Sequence, residues 1–251
     1  DLVTDPQELR SRHADPAYAG ILNGLQKRYR DLRKFYEVNP AVIPATRGDE
    51  TWWRERYQAV NERARNDADL LFIGDSITQG WESTGQQVWN DYYHRRNALN
   101  LGFSGDRTEH VIWRLTQGNL GNAKAKVAVV MIGTNNTGHR MQDPQETAAG
   151  IQRILNLLQE RSPNTKVLLL GVFPRSQHPL DEPRLNNVAL NQIIRRFADE
   201  ERVFFRDLSN VFLEPDGTLS ITVMPDFLHL SQEGYRRWAE AIEPTLKELG
   251  I

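Results

Sequence analysis

The feature that most constrains this chain is a series of five short apolar runs, at 70–73, 98–101, 127–132, 167–172 and 203–205. Each is apolar throughout rather than alternating, as a strand covered on both faces must be. Amphipathic stretches lie between them. In 144–160 the residues Ile151, Ile154, Leu155 and Leu158 recur at spacings of three and four, which predicts a helix. Further helices are expected at 183–201 and 231–249, the latter starting at Ser231 with Glu233 in its first turn. Strand and helix in alternation predict βα units feeding one five-stranded parallel sheet with helices on both faces, an α/β chain of three layers.

Residues 1–66 carry no strand pattern and hold the basic residues Lys27, Arg28, Arg30, Arg33 and Lys34. They read as a helical extension, a pair of solvated helices joined through a loop at 40–49 and packed on a catalytic domain at 67–251. Trp52 and Trp53 in this part are expected to face the core, with stacking on a sugar ring as the alternative.

With 39% hydrophobic and 25% charged residues among 251, the composition suits one large core. A net charge of −2 gives no pull toward nucleic acid or an anionic membrane. The absence of cysteine removes disulfides, thiolate nucleophiles and cysteine-held zinc. The longest apolar runs fall far short of the roughly 20 residues that span a bilayer. The chain opens on Asp1, which leaves both a cytoplasmic setting and export with a leader removed open, and neither a monomer nor a homodimer is fixed.

Four polar clusters follow these strands. Gly74-Asp75-Ser76-Ile77 comes directly after the first, where ligand sites of open α/β sheets lie. Taken alone, the cluster is also what any turn there would use. Asp226-Phe227-Leu228-His229 precedes the last helix, and residues three apart on a helical turn can pair a carboxylate with an imidazole. An Asx turn beside an unengaged histidine fits the same spacing. Gly105, in 100–106, can bare a backbone N–H, and Asn135, in 133–136, can offer a side-chain amide.

With Ser76, Gly105, Asn135 and His229 in this order, the chain resembles the SGNH (GDSL-type) hydrolases over about 69–245. Within them it looks most like the branch of platelet-activating-factor acetylhydrolase catalytic subunits and bacterial carbohydrate acetylesterases. Asn100 to Asp106, His110 to Leu115, Gly133 to Asn136, Phe173-Pro174-Arg175 and Asp226 to His229 carry that likeness. Ile77 stands where the family motif has Leu, and Asn136 where many members have Asp. The resemblance implies a flavodoxin-like α/β/α sandwich, a triad of Ser76, Asp226 and His229, and an oxyanion hole from the N–H groups of Ser76 and Gly105 with the Asn135 amide. It implies neither a metal nor an organic cofactor, and a small-molecule or glycan ester as substrate, acetyl foremost. Longer acyl chains, or a binding protein without turnover, remain as alternatives. Asp75, Arg175 and His178 are candidate substrate contacts, the last two on a loop at 173–183. His13, His94, His110, His139 and His178 show no metal-ligand spacing and read as ordinary polar residues.

Overall fold

The computed structural model describes residues 15–35, 38–121 and 124–251, so His13 lies outside them. Two compact units divide the chain at 1–39 and 40–251. In the first, the Asp15 side chain accepts from the Ala17 N–H and opens a turn at Pro16–Tyr18 that leads into α1 (Ala19–Phe35). Lys27, Arg28 and Arg30 are exposed on that helix.

The second unit runs through α2 (Thr51–Arg63), β1 (Leu70–Gly74), α3 (Ser76–Gln79), α4 (Gln86–Tyr92), β2 (Ala98–Gly102), α5 (Thr108–Thr116) and β3 (Val127–Met131). It continues with a π turn at Asn135–His139, then α6 (Pro144–Arg161), β4 (Lys166–Leu170), α7 (Glu182–Ile194), β5 (Val203–Arg206), α8 (Ser209–Phe212) and α9 (Gln232–Glu248). All five strands are parallel, in the order β2-β1-β3-β4-β5. Side chains alternate across each strand. Leu71, Ile73, Ala128 and Val130 therefore face a core shared with α5, α6 and α7, while Leu70, Phe72, Val127 and Val129 face Trp81, Trp238 and the rest of α9. These are the three layers expected.

The order reverses direction at β1, whose successor β2 lies on one side and β3 on the other, so a crevice opens above the carboxyl ends of β1 and β3. In register, Gly74 of β1 lies opposite Gly102 of β2 and Met131 of β3. Three loops thus leave the sheet at one level: the one carrying Ser76, the one carrying Gly105 and the one carrying Asn135.

Three expectations are corrected. Residues 40–66 belong to the compact unit that holds the sheet, because Trp53 and Val60 of α2 are buried in its core. Trp53 packs on Phe103 and Trp113 at ring distances of 5.6 and 5.5 Å, whereas Trp52 is 39% exposed. Adjacent helical residues point about 100° apart, so the two indoles cannot share a face. Secondly, α7 stops at Ile194 rather than 201, because Asp199 Oδ1 accepts from the N–H groups of Glu201, Arg202 and Val203 and turns the chain into β5. Thirdly, β4 ends at Leu170, two residues early, because the Asn191 side chain takes both the N–H and the carbonyl of Val172 out of the ladder.

Trp53→Ala is expected to lower the unfolding free energy by about 3–5 kcal/mol in denaturant titration, the cost of emptying a large aromatic site in a core. A loss under about 1 kcal/mol would show that α2 is an appendage.

Candidate active site

Ser76 is the first residue of α3, directly beyond the carboxyl end of β1. Asp75 caps that helix, its Oδ1 accepting from the Ile77 N–H at 3.0 Å, which fixes the turn on which the serine sits. Across the crevice, in the loop before α9, His229 Nε2 lies 2.9 Å from Ser76 Oγ and His229 Nδ1 lies 2.7 Å from Asp226 Oδ2. A carboxylate only accepts, so the Nδ1 proton faces Asp226 and Nε2 is left bare for the serine hydroxyl.

The loop is built to hold that line. Asp226 Oδ1 accepts from the N–H groups of Leu228 and His229, and Phe227 takes a left-handed conformation at φ 56°. Burial pushes the Asp226 carboxyl up, but the hydrogen bonds from the His229 ring and N–H outweigh it, and the net shift is downward. Asp226 therefore stays ionised beside the imidazole through the neutral range. Ser176 N–H donates to the Phe227 carbonyl at 2.8 Å, tying this loop to the one after β4.

Gly105 and Asn135 flank the same crevice. Gly105 sits at φ 71°, in the region open to glycine. Asn135 is buried and donates through Nδ2 to the Asp106 carbonyl at 2.9 Å, which leaves the second N–H of that nitrogen for a ligand. Asn136 is instead fully enclosed, bonded to Thr108, Glu109 and Gln142. It anchors the π turn.

The candidate substrate contacts separate. Arg175 is nearly buried, donates to the Thr134 carbonyl and hydroxyl, and feels the charges of Asp75 and Asp226. Its pKa is lowered by burial, with those two carboxylates opposing. Asp75 is fully buried and feels the charges of His229 and Arg175. His178 is exposed, and its backbone N–H donates to Asp181 Oδ2 at 3.0 Å.

Two residues near the site were not legible in the sequence. His139, the last residue of the π turn, has a lowered pKa, through burial first and then the charges of Arg175 and His229. Arg47, in the 40–49 stretch, would lie 3.0 Å from a Cβ on Gly105. His139 has only its place four residues after Asn135 to recommend it, and Arg47 stands in what reads as a linker.

Fold and hydrogen-bonded line together define the class: an ester hydrolase on a doubly wound sheet. Residues 72–237 match the GDSL-like Lipase/Acylhydrolase family, and the chain belongs to it. It is similar to the human platelet-activating factor acetylhydrolase IB subunit alpha1, 36% identical over 218 residues that span 85% of this chain and 92% of the relative. Among solved structures it is similar to a GDSL-like lipase from Bacteroides thetaiotaomicron, with TM-score 0.62 and 20% identity over 77% of this chain and 97% of that one. A carbohydrate acetylesterase from Sinorhizobium meliloti gives TM-score 0.55 and 21% identity over 72% and 99%. At such identities these two speak for the fold.

Asp75 Oδ2 and Arg175 Nε, both buried, lack a hydrogen-bond partner among the described residues. Burial pushes the Asp75 carboxyl from its ordinary 3.8 up to about 7, against the pull of the Ile77 N–H. The folded state is favoured while that group keeps its proton, and the advantage is lost as pH rises through about 7. Asp75→Asn retains an acceptor for Ile77 and carries no charge. Its stability relative to the parent is expected to rise between about pH 4 and pH 8, by on the order of 4 kcal/mol, in denaturant melts at the two values. A difference that stays flat would show that Asp75 is ionised throughout.

Proposed function

We propose that this protein hydrolyses short acyl esters, acetyl foremost, of a carbohydrate or another small alcohol, through an acyl-enzyme on Ser76. The observation that carries this reading is the line Ser76 Oγ, His229 Nε2, His229 Nδ1, Asp226 Oδ2, with its two contacts of 2.9 and 2.7 Å. Ser76 Oγ attacks the acyl carbonyl while His229 Nε2 takes its proton, and Asp226 stabilises the imidazolium that results. The oxyanion is met by the N–H groups of Ser76 and Gly105 and the Asn135 amide. His229 then returns the proton to the departing alcohol oxygen. Water repeats the sequence on the acyl-enzyme, giving the carboxylic acid and free Ser76.

The acetyl group is supported by the relative at 36% identity, which is by name an acetylhydrolase subunit. The nearly buried Arg175 guanidinium, beside Asp75 and Asp226, suits an alcohol rich in acceptor oxygens, as a sugar is.

Ser76→Ala is expected to reduce acetate release from acetylated sugars and from p-nitrophenyl acetate at least 10³-fold. Across p-nitrophenyl acetate, butyrate, octanoate and palmitate, kcat/KM is expected to fall with length, and a maximum at octanoate or beyond would sink the acetyl assignment.

A further inference from the structure

We propose that Arg47 and Asp106 are positioning residues that lock the oxyanion hole, Arg47 by preventing the Ser104–Gly105 peptide from turning over. This rests on the reading of Gly105 and Asn135 as oxyanion donors. The argument starts from one peptide plane. The Gly105 N–H and the Ser104 carbonyl belong to the same planar unit and point in opposite directions. Whatever holds the carbonyl therefore aims the N–H.

Arg47 Nη1 donates to the Ser104 carbonyl at 2.7 Å. Gly105, at φ 71° and without a Cβ, can exchange one peptide orientation for the other at little steric cost. In the flipped form the Ser104 carbonyl would face the crevice, and its oxygen would repel the charge that the N–H now meets. The Arg47 contact opposes that flip.

The guanidinium is itself held on its other edge, with Nε and Nη2 each 2.8 Å from the Glu50 carboxylate and the Trp52 ring 5.1 Å away. Nη1 also reaches Asp106 Oδ1 at 3.3 Å. That carboxylate is wholly buried and takes the Trp53 indole N–H at 2.8 Å and Arg114 Nε at 2.8 Å. Its main-chain carbonyl accepts from Asn135. One residue thus anchors the second donor and steadies the arginine that aims the first. Arg47, Glu50 and Trp53 all precede the 72–237 family match, so the segment read as an appendage completes the site.

The fork matters as well as the charge. A lysine at 47 could reach Glu50 or Ser104 but has no rigid plane spanning both. Arg47→Lys is therefore the principal variant and Arg47→Ala the second, each assayed in the full chain on p-nitrophenyl acetate. Losing an oxyanion donor outright typically costs about 10²- to 10³-fold, so partial loss of aim is expected to lower kcat roughly 10- to 100-fold. KM is expected to stay within about threefold and the pH profile to keep its midpoint, because the His229–Asp226 pair is untouched. Added guanidinium ion should restore part of kcat to Arg47→Ala. Should Arg47→Ala fail to fold, Arg47→Lys decides alone, with its melting temperature measured alongside.

A folded Arg47→Lys with kcat within about twofold of the parent would overturn the proposal, as would a loss expressed in KM alone. Ser76→Ala, run beside them, separates this from the underlying reading. If Ser76→Ala keeps its activity, the serine mechanism itself fails. If it is inactive while Arg47→Lys is not, only the clamp fails.

Discussion

The parallel register of β1 with its two neighbours is the constraint on which the rest depends. Because Gly74 pairs with both Gly102 and Met131, the chain leaves three adjacent strands at the same height, and Ser76, Gly105 and Asn135 follow within four residues of those exits. A slip of one residue in either pairing would turn every side chain of that strand to the other face. The register is protected by that penalty, since both faces of β1 and β3 are fully buried. Hydrophobic burial, at roughly 1.5–3 kcal/mol for each large apolar side chain, thereby sets the positions of polar groups it never touches.

Register fixes where loops begin and not where they go, and buried hydrogen bonds supply the rest. The loop after β3 is pinned from two sides. Asn136 ties it to Thr108, Glu109 and Gln142, while Thr137 Oγ1 lies 2.6 Å from Asn187 Oδ1 on α7. Asn187 in turn donates to the Phe173 carbonyl, so the loop after β4 is fixed by the same side chain. Each of these amides is enclosed, and an enclosed polar group left without a partner costs about 1–3 kcal/mol. Alternative loop paths are excluded by what they would leave unsatisfied. The Arg114–Asp106 pair follows the same logic, because two buried charges are tolerable only together.

These two layers of determination explain what could be read from the amino-acid sequence. The sheet, its strand number and the helices on both faces follow from apolar runs and 3.6-residue periods, which are local. Ser76, Asp226 and His229 were legible because each lies in a short cluster beside a strand end or a helix start. The boundaries that failed did so where a distant side chain intervened. Asn191 ends β4 from α7, and nothing in 167–172 announces it. Trp53 sits in a segment without strand pattern, and its burial becomes visible only with Phe103 and Trp113 beside it. Arg47 is the extreme case, 57 residues from the carbonyl it holds.

The two halves of the site are held with unequal stiffness. The Gly105–Asn135 side rests on buried groups, with Asn135 and Asp106 at 3% and 0% exposure, whereas the side chains of Asp226 and His229 are 56% and 46% exposed. An exposed ion pair is weakened by solvent and contributes little by itself. What orders this half is backbone: two N–H groups on Asp226 Oδ1, the Ser176–Phe227 bond, and an aromatic residue kept in the left-handed region. A bulky residue there is strained and persists only where its surroundings over-determine it. Phe227 is partly buried against the core that includes Trp238 and Phe173, and that packing offsets the strain. The imidazole is thus held by a loop whose anchor is apolar, across the crevice from the buried Asn135 and Asp106.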